Sequence, residues 1–203
     1  AAWIADPTAA SFTNQNTIPW YNTINIWNVT QVTNMSGVFK DRTTFNDSIS
    51  NWDVSNVVNM SQMFQGATAF NQSCNNWGSK TSNVTDMSNM FNGSTLYNQD
   101  MNSWVTTSLL NTESMFNNAT SFNGNISSWD VTKVTNLTSM FEGATSFNSN
   151  IGSWRPNSTI TLLSVFKNAS AFNTSLSGWN VSAVTNMNNL FNGASSFNQD
   201  IDG

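Results

Sequence analysis

The feature that most constrains this chain is a repeat of about 25 residues, built on a Phe and a second aromatic residue six positions later. The first Phe recurs at Phe39, Phe64, Phe91, Phe116, Phe141, Phe166 and Phe191. The second aromatic recurs at Phe45, Phe70, Tyr97, Phe122, Phe147, Phe172 and Phe197. A copy this short cannot bury its own apolar residues, so the copies must stack and share one continuous core.

Two further residue types keep the same spacing as the Phe pairs. An Asn directly follows each second aromatic, at Asn46, Asn71, Asn98, Asn123, Asn148, Asn173 and Asn198. A Trp stands at Trp27, Trp52, Trp77, Trp104, Trp129, Trp154 and Trp179. Buried amides need hydrogen-bond partners, so we interpret the Asn column as a ladder that bonds the turns of neighbouring coils. We interpret the Trp column as a core ladder, the alternative being an exposed aromatic strip for sugars.

Each copy has two segments with different patterns. In residues 57–64, apolar side chains fall at Val57, Met60, Met63 and Phe64, a spacing typical of one face of a short helix. Gly, or Asn as at Asn118, stands two residues after the Phe, where a helix end favours a left-handed residue. The segment from the second aromatic to the Trp predicts a short strand. The sequence therefore predicts an α/β, leucine-rich-repeat-like solenoid with one short strand and one short helical turn per coil.

The repeats divide the chain into two parts. Seven tandem repeats occupy residues 27–203, and the last is open-ended because the pattern is still running at Ile201. Residues 1–26 predict a degenerate N-terminal capping coil, in which Trp20 takes the place of the second aromatic. Two extra residues between Trp77 and Val84 predict a loop. Because an exposed strand edge templates further pairing, an uncapped last repeat predicts either a longer chain or a head-to-tail contact with another copy.

Composition excludes several function classes. Six Lys and Arg against eleven Asp and Glu do not supply a nucleic-acid surface. The chain has no His, the commonest general base and metal ligand, and its one Cys cannot form an intrachain disulfide. No apolar run is long enough to span a bilayer. We therefore predict no enzyme activity, no catalytic residues, no metal and no cofactor.

The boxes at Trp52–Phe64, Trp129–Phe147 and Trp179–Phe197 resemble the bacterial surface-protein 26-residue repeat, which belongs with BspA-like leucine-rich repeats. The resemblance covers roughly residues 27–203. It implies an extracellular, right-handed solenoid in surface attachment or other non-catalytic roles. The family motif has no catalytic residues to carry over. Some copies depart from the motif. In the family an Asp often follows the Trp, and in this chain only Asp53 and Asp130 occupy that position.

These observations predict a non-enzymatic, extracellular or cell-surface structural protein, a filament or surface-coat subunit that assembles head-to-tail with copies of itself. The alternative is a cell-surface adhesin that binds a host protein or glycan. The chain is rich in N-x-[Ser/Thr] sequons, which accept N-linked glycans in hosts that glycosylate. The candidates beside turns are Asn28, Asn92, Asn118, Asn168 and Asn180, whereas sequons in the Asn ladder are expected to be buried and bare.

Overall fold

The computed structural model describes residues 24–201, and we number its repeats as units 1 to 7, each beginning at its Trp. Most of the predicted capping coil, residues 1–26, therefore lies outside the described residues. Within residues 24–201 the assigned helices are two 3-10 helices, Ile24–Ile26 and Asn75–Thr81. The second contains the two-residue insertion of unit 3 and is kinked at Gly78.

Successive units lie side by side in a parallel register. One residue of each unit forms a parallel bridge with its equivalent in the next unit, in the order Asn34, Asn59, Asp86, Asn111, Asn136, Thr161 and Asn186. Each bridge is a single pair, and no longer strand is assigned within residues 24–201. The repeats therefore pack as the spacing of the Phe columns requires, each against the copies before and after it in the chain.

The segment predicted as a helical turn has another conformation. In unit 2 the bridge residue Asn59 lies inside this segment, and the residues after it are turns. Gln62 has a left-handed φ of 57°, which an α-helix does not contain. The physical reason is the hydrogen bonding, because the amides of Met60, Gln62, Phe64 and Gly66 donate to carbonyls of unit 3 instead of bonding within a helix. The right-handed, leucine-rich-repeat-like solenoid stays a prediction.

Two positions of each unit are left-handed. The first lies two residues before the Phe and is occupied by Gly37, Gln62, Asn89, Ser114, Ser139, Ser164 and Asn189. The second lies two residues after it and is occupied by Asp41, Gly66, Gly93, Asn118, Gly143, Asn168 and Gly193. The left-handed conformation expected after the Phe is thus present at Gly and Asn alike. A Cβ at Gly143 would also overlap Asn118 Oδ1, so a side chain there would force the Asn118 side chain to move.

The core consists of aromatic stacks that run through the units. Within each unit the two rings of the Phe pair stack at 3.8–4.0 Å between centroids. Between units, first-Phe rings are 5.3–5.8 Å apart and nearly parallel. Phe64, Phe91, Phe116, Phe141 and Phe166 are fully buried. Each ring therefore has a ring of the next unit against its face.

Candidate functional site

The junction between two units contains a row of backbone hydrogen bonds in which the amides of one unit donate to the carbonyls of the next. In unit 2, Met60, Gln62, Phe64 and Gly66 donate to unit 3 over 2.8–2.9 Å. The same four positions donate at every junction except that between units 5 and 6, where three such bonds are present. This row therefore gives each unit a donor edge toward the following unit and an acceptor edge toward the preceding one.

The donor edge of the last unit has no acceptor among the described residues. The four equivalent amides are those of Met187, Asn189, Phe191 and Gly193, and none of them donates a backbone hydrogen bond within residues 24–201. Backbone N–H groups aligned through alternating left- and right-handed residues form concave sites for carbonyl or anionic oxygen. Unit 7 thus presents the edge to which units 1 to 6 attach the next unit.

The structure places the Asn column at the surface as a hydrogen-bonded ladder. The backbone N–H of each Asn from Asn71 to Asn198 donates to the Oδ1 of the Asn one unit earlier, over 2.8–2.9 Å. The backbone of Asn148, for example, donates to Asn123 Oδ1, which also accepts from Ser149 Oγ. The ladder residues are exposed, so the expectation that they are buried is wrong. Their amides bond to neighbouring turns without being enclosed by them.

The Trp column lies inside the stack. Trp52, Trp77, Trp104, Trp129 and Trp154 are at most 3 % exposed, and Trp27 and Trp179 at the two ends are half-buried. The rings of Trp77 to Trp179 stack on one another at 5.6–6.3 Å. From Trp52 onward, each indole Nε1–H donates to the carbonyl of an apolar residue about one unit earlier in the stack. Buried rings with a bonded N–H are not available to stack on sugars.

Four of the five glycosylation candidates are exposed. Asn28 and Asn180 are held in turns through their Oδ1 atoms, which accept the backbone N–H groups of Thr30 and Ser182. Asn118 and Asn168 are exposed at the left-handed position after the Phe. Asn92 is half-buried, and the Nδ2 to which a glycan would be attached donates to Asn89 Oδ1.

Sequence reasoning passed over two surface columns. A Thr and Ser column stands four residues after the Phe, where Thr68, Thr120 and Thr145 donate their hydroxyls to the carbonyl one unit earlier. The second column precedes the bridge residues and reads Thr33, Val58, Thr85, Leu110, Thr135, Ile160 and Thr185. The signal for both was present in the repeat, but only the structure shows that these columns lie at the surface, with members that are exposed or half-buried.

Few ionisable groups depart from their ordinary state. Hydrogen bonds from the Thr132 side chain and backbone lower the pKa of Asp130. Burial raises the pKa of the Cys74 thiol and of the Tyr97 hydroxyl, and Cys74 and Asp100 add to the effect on Tyr97. Cys74 is fully buried among apolar residues, as a small core residue would be. Within residues 24–201 no three metal-ligating side chains come together.

Comparison of the sequence with protein-family models identifies the family of this chain. A family model described as "Mycoplasma protein of unknown function, DUF285" matches residues 8–128 and 104–203. The chain belongs to this family. Its two overlapping matches span the whole repeat array and agree with a bacterial surface repeat family. No curated protein and no solved structure matches the chain. No helix in residues 24–201 is long and apolar enough to cross a membrane.

Proposed function

We propose that this chain is a non-enzymatic extracellular repeat protein of the BspA-like leucine-rich-repeat type, and a right-handed solenoid. Its function is structural: copies assemble head-to-tail through the ends of the stack into a filament or surface coat. Its partners are copies of itself, and the exposed sequons at Asn28, Asn118, Asn168 and Asn180 carry N-linked glycans where the host provides them.

One observation carries the proposal, namely the donor edge of unit 7. Its four amides have the spacing and direction of the amides that attach the earlier units to the next, four at each junction except that between units 5 and 6. A coil that supplies the matching carbonyl row satisfies these donors, whether it is a further repeat of the same polypeptide or the N-terminal coil of another copy. In another copy, the contact extends the stack by the same hydrogen bonds that build it.

The polarity of the bonds determines the kind of assembly. Within this row two donor edges cannot pair with each other, because both supply N–H groups and each N–H group of the row needs a carbonyl opposite it. A donor edge therefore meets an acceptor edge, which makes the contact heterologous. A heterologous contact that repeats without closing gives a filament and not a symmetric dimer.

Apolar contact supports the same joint. Met187 is 43 % exposed, whereas Met60, Met87, Leu137 and Leu162 at the equivalent position are buried by the unit that follows. Phe191 and Phe197 are likewise only partly buried. Covering this end with another unit removes these side chains from water, at about 25 cal/mol for each Å² of apolar surface.

The second candidate is a cell-surface adhesin. The large apolar side chains exposed within residues 24–201 are aliphatic or Met, and none is aromatic. Sugar-binding surfaces use exposed aromatic rings, whereas aliphatic side chains suit contact with another protein. If the chain is an adhesin, a host protein is therefore favoured over a glycan.

The experiment is electron microscopy of the purified chain and of two variants. Met187→Asp places a charge at the joint, and Met187→Leu is the matched control because Leu occupies this position in units 5 and 6. We expect filaments from the wild type and from Met187→Leu, with an axial repeat of about 38 Å for eight coils at ~4.8 Å each. Met187→Asp is expected to give short rods of folded chain. Short rods from all three chains would overturn the filament proposal and leave the adhesin.

A further inference from the structure

One exposed column carries an apolar pattern with a period of two units. Val58, Leu110 and Ile160 are 44 %, 45 % and 57 % exposed, and they belong to units 2, 4 and 6. Thr33, Thr85, Thr135 and Thr185 occupy the same column in units 1, 3, 5 and 7. We name these seven residues the alternating stripe. A large aliphatic side chain thus alternates with a small one along the face of the stack.

The stripe is not a by-product of the stack ends. Four of the other exposed large apolar residues, Ile26, Val181, Met187 and Ile201, lie in the first described residues or in unit 7, where no further described unit covers them. Among the remaining exposed ones, only Leu96 lies outside the stripe. Apolar exposure along the length of the stack is therefore concentrated in this column, whereas single exposed apolar residues are ordinarily scattered.

The stripe is also regular and poor in free hydrogen-bond donors. The backbone amides of Val58, Thr85, Leu110 and Thr135 each donate to the carbonyl of the stripe residue one unit earlier, over 2.8–2.9 Å. The hydroxyls of Thr85, Thr135 and Thr185 donate to the same carbonyls over 3.1–3.3 Å. Because the amides and these hydroxyls already have acceptors, an apolar surface can cover the column without leaving those donors unpaired.

We propose that the alternating stripe is a lateral interface for the stripe of a second copy, with each large side chain of one copy opposite a Thr of the other. A two-fold axis along the stack would place each unit opposite its own equivalent, large against large and Thr against Thr. A two-fold axis across the stack makes the copies antiparallel. In an antiparallel pair shifted so that unit 4 meets unit 5, Leu110 lies opposite Thr135, Val58 opposite Thr185 and Ile160 opposite Thr85.

The size of the stripe determines when this interface is stable. Six steps of ~4.8 Å make it about 29 Å long, and one residue column is about 7 Å wide. This area is far below the ~1,200 Å² in total that a stable interface buries. Single chains therefore pair only transiently, whereas filaments present many stripes in series and pair strongly by multivalency. The strengthening in filaments rests on the proposed function, but the pairing of single stripes does not.

Cross-linking of single chains tests the pairing and its register. One chain carries Leu110→Cys and another carries Thr135→Cys, and the two have different tags. Both also carry Met187→Asp, which prevents end-to-end joining. The two chains are mixed with a short bismaleimide. Cys74 is buried and does not react in the folded chain. Leu110→Cys alone tests the large-against-large register, and Leu96→Cys, which is exposed but outside the stripe, is the matched control.

We expect the mixture of Leu110→Cys with Thr135→Cys, or with Thr85→Cys for the register shifted the other way, to give roughly tenfold more cross-linked dimer than either control. That factor corresponds to about 1.4 kcal/mol between registers. Equal yields from all combinations, or a highest yield from Leu110→Cys alone, would overturn the proposal. Met187→Asp excludes the end joint, so the cross-linking result does not depend on filament formation. If the cross-linking fails, the head-to-tail proposal is unaffected. If filaments do not form, the lateral interface is unaffected.

The matched measurement on filaments uses the stripe itself. Val58→Thr/Leu110→Thr/Ile160→Thr makes the column uniformly Thr, as it already is in units 1, 3, 5 and 7. We expect the wild type and Leu96→Thr to form paired or bundled filaments and the triple variant to form single ones. Unchanged bundling in the triple variant would contradict the lateral interface.

Discussion

Units 5 and 7 share the Trp, the Phe pair and the ladder Asn of the repeat but differ in burial. Trp129, Phe141 and Phe147 of unit 5 are at most 3 % exposed. Their equivalents in unit 7, Trp179, Phe191 and Phe197, are only partly buried. The difference shows that a unit does not bury its own aromatic residues, because the unit that follows covers them. Stability in such an array is then approximately a sum of junction energies between neighbours.

Removing a Trp gives the largest expected difference between the two units. We expect Trp129→Ala to lower the free energy of unfolding by about 3–5 kcal/mol, because a fully buried ring and its bonded Nε1–H are lost. Trp179→Ala, on a half-buried ring, is expected to cost less than about half of that. Urea unfolding of both variants in the Met187→Asp background measures the difference. Equal losses would mean that burial by the following unit contributes little.

Adding a methyl group at the left-handed position is expected to have the next largest effect. Gly143 and Gly93 have φ of 70° and 71°, so Ala at either position is strained by about 1–2 kcal/mol. Gly143→Ala also overlaps Asn118 Oδ1, whereas the nearest atoms to a Cβ at Gly93 are 3.8 Å away. We expect Gly143→Ala to cost clearly more in urea unfolding. In an Asn118→Gly background the difference from Gly93→Ala should disappear, and its persistence would show that the clash is not the cause.

The Asn ladder permits a sharper form of the comparison between interior and end. Asn123→Ala removes the acceptor for the Asn148 backbone and the Ser149 hydroxyl, which is expected to cost about 1–2 kcal/mol. In Asn198→Ala no such bond within residues 24–201 is lost, so the cost should be near zero. The same urea titration reports both values. A large loss at Asn198 would show that this amide has a role other than accepting from the next unit.

Tyr97 gives the smallest expected effect and the opposite sign. Its buried hydroxyl has no hydrogen-bond partner, and Phe occupies this position in the other six units. Tyr97→Phe is expected to raise the free energy of unfolding by about 1 kcal/mol, because an unpaired buried group no longer has to be desolvated. A decrease in stability would mean that the hydroxyl has a bonded partner in solution.

The same residue predicts a pH dependence. Burial raises the pKa of Tyr97 well above 10.0 and that of Cys74 above 9.0 in the folded chain. Above those ordinary values the unfolded chain releases protons that the folded chain retains, so stability is complete below pH 9 and falls as pH rises. Unfolding free energies at neutral pH and above the ordinary tyrosine pKa should show a smaller fall in Tyr97→Phe than in the wild type.

The stacking could be predicted from the sequence, and the local backbone could not. The Phe and Trp columns recur at fixed spacing, so they can be buried only against their own copies. The apolar spacing of Val57, Met60, Met63 and Phe64 fits one face of a helix, but it equally fits a series of turns. Ser114 and Gln62 are left-handed without being Gly, Asn or Asp, and nothing in their identity indicates this. Hydrogen bonds between units offset the cost of about 1–2 kcal/mol at each such residue.

The candidate surfaces were predictable only in part. The regular spacing of the Asn column predicts a hydrogen-bonded ladder. It does not predict that the ladder is exposed, because a repeat pattern does not indicate which column lies at the surface. The alternation of Thr with Val58, Leu110 and Ile160 was present in the sequence. It acquired meaning only when the structure placed all seven residues in one surface column, exposed except for the half-buried Thr85, because a period of two units is invisible within a single repeat.

The direction of the junction bonds has a mechanical consequence. Because the amides of each unit donate toward the next unit, tension along the stack pulls these bonds in series and separates one junction at a time. A unit at a free end has one neighbour, so it should peel off first. Each detached unit releases about 25 residues, or about 85 Å of extended chain. Under load such an array should lengthen in equal steps, and it should recover its length when the force is removed.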